Sequence, residues 1–172
     1  MTAPLRRVLV RAPTQADCNR WREYGWRSEP EPARLLAEHE DFCAVLAEHG
    51  AEVVHARTPL EDGLDAIYAH DSALVCDAGA IALRPGKAIR RGEQAAAAAD
   101  LEAAGVPVIA SLAAPATAEA GDLLWLDERT LLAGCGYRTN GPGVAALAAA
   151  LPGVDVVPFD LPHFRGPATS CT

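Results

Sequence analysis

"GDLLWLDERTLLAGC" at residues 121–135 reads as a β-hairpin, with one apolar run on each side of Asp127-Glu128-Arg129. "DSALVCDAGAIALRP" at 71–85 has the same form around Asp77-Ala78-Gly79. An Arg-bearing loop, an Ala-rich helix and a strand follow each hairpin. The first continues "RRGEQAAAAADLEAAG" and "VPVIAS", the second "RTNGPGVAALAAALPG" and "VDVVPFDL". Upstream, a strand is expected at Arg7–Val10, then an irregular stretch through Pro32. A helix of roughly 33–49 follows, burying Leu35, Leu36, Phe42, Val45 and Leu46 on one face, and then a short strand in "AEVVHA". Helix–Gly–strand junctions therefore fall at Gly50, Gly105 and Gly153, with Gly the natural helix C-cap. Two copies and part of a third of a strand–strand–helix–strand module imply an α/β propeller, solenoid or array.

The chain has 172 residues, half of them apolar, enough to bury a core, and the expectation is a single α/β domain over 1–172. Fifteen Lys and Arg against 23 Asp and Glu give a formal charge of −8, and basic residues cluster no further than Arg6-Arg7 and Arg90-Arg91. A nucleic acid would be repelled on average. No segment approaches a membrane span, and the N-terminal apolar stretch is too short for a signal-peptide core. Five scattered cysteines, with no CxxC pair, read as reduced thiols, which together point to the cytoplasm.

Phosphate-loop, serine-elbow and H-E-x-x-H patterns are absent. His39 and Cys43, four apart on the expected helix, lack a third ligand, so neither a metal nor another cofactor is expected. The acids and arginines carry more. "DAIYAHD" places Asp65, Tyr68, His70 and Asp71 before the first hairpin, with Arg90 and Arg91 after it; Glu119 and Asp122 precede the second, with Arg138 after it. Equivalent places in repeated modules would bring these groups to a common axis. Carboxylates hold a guanidinium by paired charge-assisted hydrogen bonds, so a small planar cation is the expected ligand. Hairpin caps and rim ion pairs are the alternative, worth little energetically.

"EAGDLLWLDERTLLAGCGYRTNGPG" (119–143) resembles the E-G-G-D…R-T-N signature of the guanidino-modifying enzymes, the pentein superfamily. That group includes dimethylarginine dimethylaminohydrolase, arginine deiminase and glycine amidinotransferase. "HDSALVCDAGAIALRPGKAIRRGE" (70–93) is similar to their acid-Asp, hairpin, R-P-G-x-x-R-R-x-E signature, and "DLPHFRGP" (160–167) to the bacterial dimethylarginine hydrolase branch. The resemblance implies a propeller of five modules, about three of them in this chain. It implies thiolate attack on the guanidinium carbon, loss of an amine, and hydrolysis to a citrulline-type product. Glu119 would be the catalytic carboxylate at the attacked face. Asp71 would clamp a second edge of the guanidinium, Arg90 and Arg138 would hold the amino-acid end, and Asp65 and Tyr68 would line the pocket wall. His70 departs from the acid usual beside Asp71.

By the same resemblance, the nucleophilic Cys and general-base His are expected beyond Thr172. His163 matches a non-catalytic position, and Cys171 has no motif behind it. An incomplete ring would call for cover from a complementary C-terminal portion or a second copy of the chain. Two further readings stay open: a non-catalytic guanidino-compound binder or structural propeller protein, and a deiminase or amidinotransferase when complete.

Overall fold

The structure, a computed structural model, describes residues 4–61 and 63–162. They pack as two compact units that divide between Ala69 and His70.

In the N-terminal unit, β1 (Arg7–Val10) and β2 (Glu52–His55) pair in parallel, Arg7 opposite Glu52 and Val10 opposite His55. A parallel pair needs a long crossover. It is made by α1 (Gln15–Cys18), α2 (Trp21–Tyr24) and α3 (Pro32–Glu48). The stretch before Pro32 thus carries two one-turn helices where no regular structure is expected. They are too short to show periodicity and are held by local and tertiary bonds. Thr14 caps α1 by accepting from the Asp17 amide, and the Asp17 carboxylate accepts the Gly63 amide at 3.2 Å. The long helix forms where expected, but its apolar face stays open. Leu35, His39, Cys43 and Leu46 are half-buried, whereas Leu36, Phe42 and Val45 are exposed.

The second unit contains two modules of one plan. β3 (Ala73–Cys76) and β4 (Gly79–Ala82) form an antiparallel hairpin, α4 (Gly92–Ala103) crosses over, and β5 (Val108–Ser111) returns parallel to β4. β6 (Leu123–Asp127), β7 (Thr130–Cys135), α5 (Gly141–Ala150) and β8 (Asp155–Asp160) repeat this, β8 running parallel to β7 from Thr130 opposite Asp155 to Cys135 opposite Asp160. The sheet orders, β3-β4-β5 and β6-β7-β8, are identical. The three junction glycines share a left-handed backbone, φ 87° at Gly50, 79° at Gly105 and 84° at Gly153. Only a residue without a Cβ adopts that turn freely.

The two modules share one core: Leu74, Ile81 and Leu83 from the first pack with Leu123, Leu131, Leu147 and Leu151 from the second. Ala96 of α4 is buried, and an alanine-rich helix can lie close on its sheet. Burying a Leu or Ile contributes about 1.5–3 kcal/mol, so this core fixes the modules against each other. The turns before each hairpin and the loops after it are thereby held in register.

Candidate functional site

Asp71 sits in a 3-10 turn (Ala69–Ser72) that leads straight into β3. Arg90 closes the 3-10 turn Ala88–Arg90 after β4, and Glu93 lies in the first turn of α4. Glu119 precedes the 3-10 turn Ala120–Asp122, which enters β6, and Arg138 follows β7. Both modules therefore place an acid before the hairpin and an arginine after it, and all these groups meet.

Arg90 is their centre. Its Nε and Nη2 donate to the two oxygens of Glu93, each at 2.8 Å, a two-pronged contact across one turn of chain. Its Nη1 donates to Asp71 at 3.0 Å and to Glu119 at 3.3 Å. Burial works against the guanidinium's charge, but the hydrogen bonds and charges of Glu93, Asp71 and Glu119 outweigh it and hold the proton more tightly than usual. Ser72 Oγ donates to Glu93 at 3.0 Å and fixes that carboxylate in turn.

Glu119 is fully buried. One oxygen accepts the Gly86 amide at 3.0 Å, and the other faces Arg90 and Arg138. Burial drives its pKa up, and Asp71 adds to that; Arg90, the Gly86 amide and Arg138 oppose the rise without cancelling it. A carboxyl in this state is under-compensated, and further positive charge beside it would stabilise the ionised form.

Arg138 reaches over the same acids. It is ion-paired to Asp122, with Nη1 3.5 Å from Glu119 and 3.7 Å from Asp71. Thr139 straps the turn, its hydroxyl donating to Asp122 at 2.9 Å and accepting the Glu119 amide at 3.3 Å. Asn140 caps α5 by accepting the Gly143 amide at 2.8 Å and ties back to Thr117. Each residue of the R-T-N triplet thus has its own task. Two glycines make room: a Cβ on Gly86 would lie 2.6 Å from the Tyr137 carbonyl, and one on Gly121 would lie 2.8 Å from Asp71 and Arg138. Gly121 also donates its amide to Asp71 at 3.2 Å.

Of the residues expected at the site, Asp71, Arg90, Glu119 and Arg138 come together. Burial separates the first three from rim ion pairs: side-chain exposure is 11% at Asp71, 4% at Arg90 and 0% at Glu119. Arg90 was assigned to a ligand's amino-acid end, but its guanidinium here holds the site's own acids. Asp65 and Tyr68 belong to the N-terminal unit, where Asp65 is buried and accepts from Trp26 Nε1 at 2.8 Å, and Tyr68 is exposed. Glu93 and Thr139 stand in the two signatures without a role assigned to them, and Ser72 escaped the sequence reading. Glu93 was discoverable, since it stands three residues after Arg90 on a helical turn.

Among the described residues Cys18, Cys43 and Cys76 are free thiols, as expected. Burial raises the Cys18 and Cys43 thiols above their usual range, the wrong direction for a nucleophile. His163 and Cys171 lie outside the described residues. Among the described residues no three His, Cys, Asp or Glu gather as metal ligands, and no helix is long and apolar enough to cross a membrane.

No protein-family model matches the chain. An uncharacterized protein of Aeropyrum pernix is 36% identical over 152 residues, which is 87% of this chain and 56% of that protein. The dimethylarginine dimethylaminohydrolase of Pseudomonas aeruginosa, a Cys-to-Ser mutant complexed with citrulline, superposes with a TM-score of 0.79 at 24% identity, over 94% of this chain and 63% of that one. The N-terminal domain of ArgZ, an arginine dihydrolase from cyanobacteria bound to its substrate, gives 0.77 at 25% identity, over 91% and 58%. Unliganded AgrE gives 0.76 at 25%, over 94% and 24%. This chain spans little more than half the length of its curated relative and about three-fifths of the first two structures. The likeness covers more than nine-tenths of this chain in each of the three, and the chain has their pentein-type α/β fold.

Proposed function

We propose that this chain carries the substrate-holding part of a guanidino-compound C–N hydrolase resembling dimethylarginine dimethylaminohydrolase. The observation that carries this reading is the charge of the cluster. Four buried carboxylates, Asp71, Glu93, Glu119 and Asp122, face two guanidiniums, those of Arg90 and Arg138. Four acids against two guanidiniums, with burial disfavouring the ionised form of Glu119 until a further cation offsets it, make a poor structural ion pair and a good seat for one more planar cation. Glu119 and Asp71 would take the guanidinium edges and make its carbon more electrophilic. Arg90, locked by Glu93, would keep both acids in place, and Arg138 would meet a ligand's carboxylate. The preferred substrate is dimethylarginine, with arginine the alternative, and the compartment the cytoplasm.

The reaction also needs a thiolate and a proton-shuttling imidazole. Burial raises the Cys18 and Cys43 thiols, and by the resemblance both groups would come from outside the described residues. The second reading treats the cluster as a structural rivet, and the four hydrogen bonds by which Arg90 holds the site's own carboxylates favour it. Titration with dimethylarginine separates the two. Under the proposal Asp71→Asn and Glu119→Gln each weaken binding at least about tenfold, the scale of one lost charge-assisted hydrogen bond. Unchanged affinity in both folded variants would leave only the rivet.

A further inference from the structure

We propose that His39 and Cys43 of α3 form a two-coordinate site for a soft monovalent cation, Cu(I), with His55 of β2 at hand as a third ligand. The site lies wholly in the N-terminal unit and shares no residue with the guanidinium cluster.

Helix geometry makes the pair. His39 and Cys43 stand four residues apart on α3, so their side chains share one face. Cys43 Sγ lies 3.7 Å from His39 Nδ1 and 3.9 Å from Nε2. Either separation suits two metal bonds of about 2 Å set nearly in line, one to sulfur and one to nitrogen. A monovalent ion with a filled d shell is satisfied by two such donors, whereas zinc takes four. With no three ligands assembled among the described residues, the pair fits the first kind of ion and not the second. Thiolate and imidazole are also the donors that select copper over the hard cations.

The surroundings keep both donors usable. Burial and the charge of His55 lower the His39 pKa, against weaker opposition from Glu40 and the Arg11 backbone, so the ring is neutral at pH 7 and keeps a lone pair. The Arg11 backbone accepts a hydrogen bond from the same ring, the arrangement that orients a ligating histidine. Cys43 is half-buried, and burial and Glu40 raise its thiol, which is therefore protonated at rest. Cu(I) bonds to the sulfur as the thiol proton leaves to solvent, and no electron is transferred. His55 ends β2 opposite Val10, and its ring centre is 6.4 Å from that of His39. It is exposed, and exposed side chains change rotamer within nanoseconds, so it is free to close on a bound ion.

The test is anaerobic titration of the reduced 172-residue chain with Cu(I), in competition with bicinchoninate, whose copper complex is coloured. The wild-type chain is expected to withdraw one equivalent more than Cys43→Ser. His39→Gln keeps every thiol and is expected to weaken that equivalent at least about tenfold. His55→Gln is expected to weaken it less. Equal withdrawal by the wild type and a folded His39→Gln would overturn the proposal and leave Cys43 a bare thiol. Equal withdrawal by the wild type and Cys43→Ser would overturn it too, by placing the copper on other cysteines. Should His39→Gln not fold, X-ray absorption of the wild-type copper complex decides. One sulfur with one or two nitrogens at about 2 Å is the expected shell, and a shell of sulfur alone contradicts the site.

Discussion

Arg90 and Arg138 occupy equivalent places in two copies of one module, yet they live in different physical worlds. Each follows a hairpin and precedes an alanine-rich helix. Arg90 is buried on three carboxylates, with Glu93 locking it from one helical turn away. The second module has no counterpart of that lock: three residues after Arg138 stands Gly141. Arg138 consequently stays open to solvent and lies across the acids. A repeat supplies the position of a charged group, and one neighbouring residue decides whether it becomes a fixed part or a movable one.

The largest expected effect breaks this comparison at its buried end. Arg90→Met leaves three buried carboxylates without their common partner and is expected to cost about 3–5 kcal/mol, the usual penalty for removing one side of a buried ion pair. Arg138→Met is expected to cost less, about 1–3 kcal/mol, because Asp122 is left buried without its cation while the vacated side is open to water. Urea denaturation of the two variants checks this, and equal losses would show that the arginines are alike after all.

A second, smaller effect depends on pH. The Glu119 pKa is raised in the folded chain, so its contribution to stability is fully present below the ordinary Glu range and is lost as pH rises through the raised value. Glu119→Gln lacks that loss. The stability of the variant relative to wild type should therefore grow from acid pH upward and then level off, as read from chemical denaturation across pH. A flat difference would mean that burial does not perturb this carboxyl.

The smallest effect on stability is expected at Gly121. Its φ is ordinary, and an added Cβ would press only on the movable ends of Asp71 and Arg138. Gly121→Ala should leave stability within about 1 kcal/mol of wild type, since loss of glycine freedom offsets the contact. Under the proposed function, binding of dimethylarginine should nonetheless weaken, because the Asp71 oxygen that would meet the ligand is displaced. Thermal denaturation together with titration separates the two quantities.

Much of this architecture was legible in the sequence because its signals are local. Asp77-Ala78-Gly79 and Asp127-Glu128-Arg129 mark the hairpins, and Gly50, Gly105 and Gly153 mark the helix ends by a backbone that other residues rarely adopt. The signature residues Asp71, Glu119 and Arg138 were legible for the same reason. The role of Glu93 was not, because it depends on a 3-10 turn that carries Arg90 back over it. The helices at 15–18 and 21–24 were hidden because single turns have no period to read. Periodicity misled on α3, where the apolar positions Phe42 and Val45 are exposed.

The central claim is that carboxylates from two successive modules seat a planar cation. Calorimetric titration of the chain with L-arginine against L-citrulline, nearly the same shape with a neutral ureido group, puts that charge to the test. Saturable arginine binding, with citrulline at least about a hundredfold weaker, is the expected result, since the seat offers buried negative charge and little else. Equal affinity for the two, or none for either, would contradict it.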